Sequence, residues 1–467
     1  MFYLLLVIPV IIYFNFFPLN EDTYWIMYST QNMLSGATLY IDIIETNPPL
    51  IFLISIIPVS VAEYFSISLS TSYISFIILL VSLSAYLINK LFKEDINLSP
   101  LQVHLLSISI FFILLISPSG DFAQREHIMI IFLLPYIIMS MLRYKITFSK
   151  KLIIVVVLFS LFGFNLKPHF FLIFLTIEVI YLLKFKDFCS LLRLENILIV
   201  GSGFLYVGFI AMFFREYITF IIPLALEAYT DVFNQSLGRL FLHYDILFGI
   251  FVIVYISLFA LKKERFEFYI LFSVMGSFLI IYLIQSKGWH YHLLPFFMIT
   301  LLNIVYGIVI YVEHKVYKYA GIGIVFVVMI LYNNMYFNRY SRLNTLLGDL
   351  KKDVPVVVFT MEMAMGLPLV IQNRQQWASR FLSLWMLPST LNNKSIKKYV
   401  LDSVYSDLKK FQPMYIIFPT YYDDTKYYKY FIQNSDAIKS FMTTNYTLKK
   451  NSEFEVYKKN RTGSNNL

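Results

Sequence analysis

Residues 152–183 read LIIVVVLFSLFGFNLKPHFFLIFLTIEVIYLL. Two apolar runs, 152–166 and 169–183, meet at the tip Asn165-Leu166-Lys167-Pro168-His169. Such runs suit helices crossing a hydrocarbon layer of roughly 30 Å, with a charged turn at its edge. The pattern recurs along the chain. Further runs fall at about 2–17, 72–89, 102–117, 128–142, 196–214, 242–261, 267–285, 294–312 and 319–334. The spacing therefore predicts about eleven transmembrane helices. Several runs are short, which fits helices packed in a bundle.

Composition agrees. The 467 residues are 58% apolar and only 14% charged, with a mean hydropathy of +0.67. A soluble domain is near half apolar and a quarter charged. The net charge of +9 is not read as a nucleic-acid signal, because basic residues mostly flank the apolar runs. Cys189 is the single cysteine, which leaves no intramolecular disulfide and no cysteine-based metal site. Phe, Ile, Tyr, Lys and Asn are used so heavily that single aromatics carry little functional weight. The first run lacks a basic leader and a small-residue cleavage site before Glu21, so it is expected to be retained.

Basic residues set the expected orientation. One set of loops holds Lys90, Lys93, Arg143, Lys145, Lys150, Lys151, Lys184, Lys186, Arg193, Lys262, Lys263, Arg265, Lys315 and Lys318. The opposite set holds only Arg125, Lys167, Arg215, Arg239 and Lys287. The richer set is expected to be cytoplasmic. That puts the N-terminus inside, and the loop after the first helix outside with the C-terminal region. The apolar segment 50–69, broken by Pro58, reads as a helix lying along the outer surface or as a re-entrant element. Residues 23–34 read as a second interfacial helix, with Trp25 and Tyr28 suited to headgroup depth.

After Asn334 the chain turns polar. Val354–Phe359 and Met414–Phe418 read as buried strands, and Asn393–Lys410 as a helix between them. The expected organisation is an all-α polytopic bundle over 1–335, with an outer loop at 18–71. A small α/β extracytoplasmic domain over 336–458 and a disordered tail, 459–467, follow.

The candidate site lies where the sparsely charged loops converge. The first is Asn20-Glu21-Asp22-Thr23-Tyr24-Trp25, with an acid pair at the mouth of the first helix. The second is Ser119-Gly120-Asp121-Phe122-Ala123-Gln124-Arg125-Glu126-His127, and the third is the Lys167–His169 tip. The fourth is Gln285-Ser286-Lys287-Gly288-Trp289-His290-Tyr291-His292. By topology all share one end of the bundle. Arg125, Lys167 and Lys287 could neutralise a lipid phosphate. Trp25 or Trp289 could stack on a sugar, and a carboxylate could take a proton from a hydroxyl nucleophile. Glu126, His127, His169, His290 and His292 complete the expected donor-binding set.

Each residue also has a plainer reading. Asp22 could cap a helix beginning at Thr23, with Glu21 as its solvated neighbour. Arg125 and Glu126 could pair with each other, and Lys167 could snorkel to headgroups. His290 and His292 would share a face on an extended loop. With nearby acids they permit a divalent metal, but a pair with no fixed third ligand defines no site. Glu178, inside an apolar run, needs a hydrogen-bonding partner within the bundle. Trp377 and Arg380 read as packing and surface.

The order of residues in the first loop resembles a known family. A first helix, the acid pair, then Gly36, Tyr40-Ile41-Asp42 and Asn47-Pro48-Pro49-Leu50 resemble the first outer loop of the GT-C superfamily. These are integral-membrane glycosyltransferases that use polyprenyl-phosphate sugars. The nearest groups are the aminoarabinose, protein O-mannosyl and rhizobial core transferases. The motif covers about residues 18–52, and the topology covers the chain. The resemblance implies eleven to thirteen helices, juxtamembrane helices in the first loop and an outer C-terminal domain. It also implies a catalytic acid at Asp22 with Glu21 beside it; many members order the pair Asp-Glu, so either acid could be the base. The implied partners are a polyprenyl-phosphate-linked sugar, a lipid, glycan or protein acceptor and membrane lipids, with no nucleic acid. The implied location is the bacterial inner membrane. A lipid-linked glycan flippase, a glycan polymerase and a cell-envelope scaffold are the alternatives.

Overall fold

The computed structural model describes residues 19–229, 234–243, 246–250, 265–333, 341–360, 362–386, 394–420, 435–450 and 453–460. Two compact units emerge. One holds residues 1–20, 47–213 and 234–337, and the other holds 21–46, 214–233 and 338–467. The composition shift near residue 336 marks one boundary. The return of 21–46 and 214–233 to the C-terminal unit is a boundary that composition does not mark.

The first described helix, α1 (Glu21–Leu34), belongs to the second unit. The first unit is a helical bundle. It begins with α2 (Leu50–Phe65), α3 (Leu69–Lys93), α4 (Pro100–Ile116) and α5 (Arg125–Leu142). Next come α6 (Lys150–Asn165), α7 (Phe171–Phe185) and α8 (Leu194–Phe213). After α9 (Ile222–Tyr229) of the second unit, the bundle resumes with α10 (Leu237–Phe241) and α11 (Phe266–Gln285). It closes with α12 (His290–Tyr311) and α13 (Lys315–Asn333).

Six helices of the described residues are long and apolar enough to cross a membrane: α3, α5, α7 with its leading turn, α8, α11 and α12. They match six of the eleven expected runs. The runs 2–17 and most of 242–261 lie outside the described residues. Helices α4 and α6, of 17 and 16 residues, are apolar but shorter than these six. The 50–69 segment is a helix, α2, of 16 residues with Pro58 inside it.

Local sequence explains the helix starts. Ser99 accepts from the Gln102 amide while the Gln102 side chain accepts from the Ser99 amide, a reciprocal cap that opens α4 at Pro100. Ser68 and Ser149 cap α3 and α6 in the same way from one side. Ser66, in left-handed geometry at φ 53°, stops α2.

Helix α5 is the centre of the bundle, with every one of its 18 residues buried. Helix α6 packs against it at Gly163. A Cβ there would lie 2.7 Å from Leu133 Cγ and 3.0 Å from the Met129 carbonyl oxygen. Gly163→Ala is therefore expected to cost about 1–3 kcal/mol by overpacking. Thermal melting of the purified protein in detergent checks this, and an unchanged midpoint would refute the close approach.

Polar side chains collect at the two ends of α5, about 27 Å apart by helical rise. At the far end, Glu178 of α7 meets Arg143 at 2.5 Å, Arg193 at 2.7 Å and the Asn196 amide at 3.0 Å. Beside them Lys145 joins Asp95 at 2.8 Å and Glu267 at 2.6 Å. These contacts bring together the α3–α4, α6 and α8 loops and the start of α11. They are the basic loops grouped from sequence.

The second unit contains a five-stranded sheet. Its strands are β1 (Pro355–Val358), β2 (Gln376–Trp377), β3 (Tyr415–Pro419), β4 (Tyr446–Lys450) and β5 (Phe454–Lys459), in order β2-β1-β3-β5-β4. β1 pairs parallel with β2 and β3, and β5 pairs antiparallel with β3 and β4. Helices α14 (Ser341–Asp349), α15 (Leu367–Gln372), α16 (Lys394–Phe411) and α17 (Asp436–Asn445) complete the unit. The two expected strands are β1 and β3, and the expected helix is α16. The tail reading shifts: Lys459 closes β5 and the Asn460 amide donates to Asn445, while 461–467 lie outside the described residues.

Helix α1 is part of this unit's core. Tyr28 donates to the Trp377 carbonyl at 3.0 Å, and Gln372 reaches the Tyr24 hydroxyl at 3.2 Å. Trp25 is only 3% exposed, so it is a core residue rather than a headgroup anchor or sugar platform. Trp377 packs as expected. Arg380 departs from the surface reading: it pairs with buried Asp407 at 2.8 Å. The Thr38 amide, joined by Lys410, holds the Asp42 carboxyl below its ordinary range.

Candidate functional site

At the start of α5 the chain makes a tight turn, Ser119–Asp121, with left-handed Ser119 and Ala123 on either side of Phe122. His127 holds this turn. Its Nδ1 accepts from the Ala123 amide at 3.0 Å, and its Nε2 donates to the Leu114 carbonyl at 2.7 Å. That is the neutral tautomer with both nitrogens engaged. The ring is fully buried against Phe122. His127 thus shapes the site instead of binding a donor, a correction to the expected set.

The turn presents Asp121 to His290, whose Nδ1 lies 2.7 Å from Oδ2. Asn20 reaches the other carboxylate oxygen at 3.5 Å and is itself held by Gln124 at 2.9 Å. The His243 ring centroid lies 5.9 Å from that of His290. Asp121 and His290 keep 12% and 15% of their side-chain surface.

Deeper in the bundle, Glu126 meets Lys167 at 2.5 Å and His292 at 3.9 Å. Their side chains are 2%, 11% and 4% exposed. Lys167 is therefore an ion-pair partner rather than a snorkelling headgroup anchor. Glu126 turns to Lys167 because the Asn165–Pro168 tip ends α6 and brings the ammonium to the first turn of α5. Arg125 is buried, with its guanidinium carbon 6.0 Å from the centroid of Tyr291. His169, two residues past Lys167, is half-buried against Phe170.

His290 and His292 do not share a face. Both sit in the first turn of α12, where two residues differ by about 200° around the axis. One reaches Asp121 and the other Glu126. Trp289 stacks on Tyr291 at 5.7 Å. Lys287 donates to Asn234 at 2.6 Å, and partial burial lowers its ammonium from the ordinary lysine value. Gly288 carries the positive φ of 69° between them.

The structure thus brings together Arg125, Glu126, Lys167, His169, His290 and His292 at one end of the bundle, with Trp289 and Lys287 on the adjoining loop. Glu21 and Asp22 stand in the second unit, in the first turn of α1. Because α1 starts at Glu21, Asp22 lies inside the helix rather than at the cap of one beginning at Thr23. Both carboxylates suit the positive end of the helix dipole.

Sequence reading gave no role to Asp121 or Asn20, though both lie in the converging loops, and did not single out His243. Asp121 had a signal: it follows a Ser-Gly turn four residues before a buried helix start. Among the described residues, no three His, Cys, Asp or Glu side chains are grouped to hold a metal ion. Neither a known protein-family model nor a curated protein sequence matches this chain.

Proposed function

We propose that this chain is a membrane glycosyltransferase that moves a sugar from a polyprenyl-phosphate donor to a lipid, glycan or protein acceptor. The setting is the outer face of a bacterial inner membrane, with the second unit extracytoplasmic. The observation that carries the reading is the cluster of ionisable groups at one end of a bundle with six membrane-length helices. Charge at that depth is costly unless used or paired. It joins the first-loop pattern of an acid pair followed by Gly36, Tyr40, Asp42 and Asn47-Pro48-Pro49.

In this reading Asp22 is the general base on the acceptor hydroxyl, with Glu21 its neighbour. The sugar transfers in one displacement with inversion. Lys287 and Arg125 offset the charge on the departing phosphate, an electrostatic role that dominates such transfers. Lys167 is committed to Glu126 and acts by holding that carboxylate in place.

The test is Asp22→Asn in membranes supplied with a panel of labelled polyprenyl-phosphate sugars. Transfer is expected to fall about 10²–10⁴-fold, the usual contribution of a positioned acid or base. Transfer at the wild-type rate would end the assignment of Asp22. A flippase would move the lipid-linked sugar and transfer nothing in either protein.

A further inference from the structure

The far end of the bundle carries a second feature, the turn between α7 and α8. It reads Lys184-Phe185-Lys186-Asp187-Phe188-Cys189-Ser190-Leu191-Leu192-Arg193-Leu194. Lys186, left-handed at φ 54°, stops α7, and Phe188–Leu192 form a 3-10 turn before α8 begins. The turn is folded and fastened. The Asp187 carboxylate accepts from the Cys189 amide at 3.1 Å, and the Asp187 carbonyl accepts from the Ser190 hydroxyl at 2.6 Å. The Asn196 side chain donates to the Ser190 carbonyl at 3.3 Å, and Arg193 turns inward to Glu178.

Residues three apart eclipse in a 3-10 turn, so this one has three faces. Ser190 is the face that meets the bundle, and it is buried. Phe188 with Leu191 form the second face and Cys189 with Leu192 the third, all exposed. Phe188 and Leu192 keep 74% and 75% of their surface. Side chains of this size standing outward together mark a contact surface. What they contact follows from position. Helices α7 and α8 are both of membrane length, and the turn joins their ends, which is headgroup depth. Charge agrees. Lys184 and Lys186 are exposed, while the neighbouring acid, Asp187, is committed to the turn's own backbone. Helix α6, which packs along α8, opens at this end with Lys150 and Lys151 exposed.

We propose that residues 184–194 are a membrane-surface anchor that selects anionic phospholipid. Phe188, Leu191 and Leu192 enter the leaflet where headgroups meet acyl chains, and Lys184 and Lys186 hold anionic headgroups beside them. The inference goes beyond glycosyl transfer and needs only a bundle that lies in a membrane.

Cys189 is the single cysteine, is exposed and lies on the Leu192 face, so the native chain carries its own reporter position. The test labels the full-length protein there with bimane and places one copy in each phosphatidylcholine nanodisc. The discs also hold brominated phosphatidylcholine or brominated phosphatidylglycerol at equal mole fraction. Both lipids should quench the label, the anionic one about threefold more strongly, and the preference should fade as salt is raised. Iodide in solution should quench weakly. Lys184→Gln with Lys186→Gln should keep the lipid quenching and lose the preference. Phe188→Ser with Leu192→Ser should lose lipid quenching and gain iodide access. All four side chains are exposed, so both double variants should melt with the wild type, which separates anchoring from folding.

The inference is overturned if iodide quenches the wild-type label and brominated lipid does not. It is equally overturned if the lysine variant keeps the full anionic preference. Shielding that appears only with two copies in a disc would assign the face to a second copy and overturn it as well. Leu205 of α8, 78% exposed, is the control. If neither lipid quenches a label in Leu205→Cys with Cys189→Ser, the membrane reading fails and the anchor with it. If they quench there and not at Cys189, the anchor alone fails.

Discussion

Glu126→Gln is expected to lower the stability of the bundle by about 3–5 kcal/mol, because it removes the carboxylate charge beside a buried ammonium. Lys167 Nζ lies 2.5 Å from Glu126 in a setting where both side chains are nearly closed to solvent. Taking such charges out of water costs several kcal/mol each, and their mutual attraction offsets part of that cost. Lys167→Met should cost a similar amount by removing the ammonium nearest the carboxylate. The double variant Glu126→Gln with Lys167→Met should lose well under the sum of the two single losses. Thermal melts of the four proteins in one detergent give the coupling directly. Single variants within about 0.5 kcal/mol of wild type, the usual range for surface changes, would show that the pair is solvated.

A loss of comparable size is expected at the other end of α5. Glu178 serves two guanidinium groups and one amide, and Arg143 also lies 3.9 Å over the Tyr181 ring. Glu178→Leu leaves Arg143 and Arg193 facing each other with Glu195 as the remaining acid, 3.8 Å and 3.4 Å away. The expected cost is again about 3–5 kcal/mol. Because this site is far along the helix from Glu126, the two losses should add. A melt in which Glu178→Leu behaves like wild type would refute the buried network. Under the proposed function, glycosyl transfer measured well below the melting point should survive Glu178→Leu, since the residue is remote from the candidate site.

Much of the bundle was legible because the membrane imposes a simple grammar. Lys145, Arg143 and Arg193 were grouped by loop charge alone, and the structure unites them through Asp95, Glu267 and Glu178. Lys167 and Glu126 were placed at one end by the same alternation of helix direction. What alternation does not encode is pairing. Nothing in the order of residues says that Lys167 takes Glu126 rather than a headgroup. His290 and His292 were misread because an extended loop was assumed where α12 already begins. A two-residue step reverses meaning between strand and helix.

The sheet was half legible. β1 and β3 are continuous apolar runs, as buried strands should be. β2 has two residues, too few to show any period. β5 alternates Phe454, Val456 inward with Glu455 and Tyr457, a signal available in the sequence but not read as a strand. The least legible feature is the partner of α1, because residues over three hundred positions apart leave no local mark on each other.

That last feature has a consequence for how the molecule is made. The Ile44 amide donates to the Arg380 carbonyl, Tyr28 to that of Trp377, and Lys410 pairs with Asp42. At 5–20 residues per second, roughly 15–70 s of synthesis separate the two halves of these contacts. During that interval α1 exists without Gln372 and Trp377, the partners of Tyr24 and Tyr28. The nascent first loop must wait, shielded or bound, until the last stretch of chain arrives. A ribosome that stops early therefore releases a protein whose amino-terminal loop is unfinished, however complete its helices are. Removal of residues 338–467 is a lesion in the Asp22 loop as much as in the sheet.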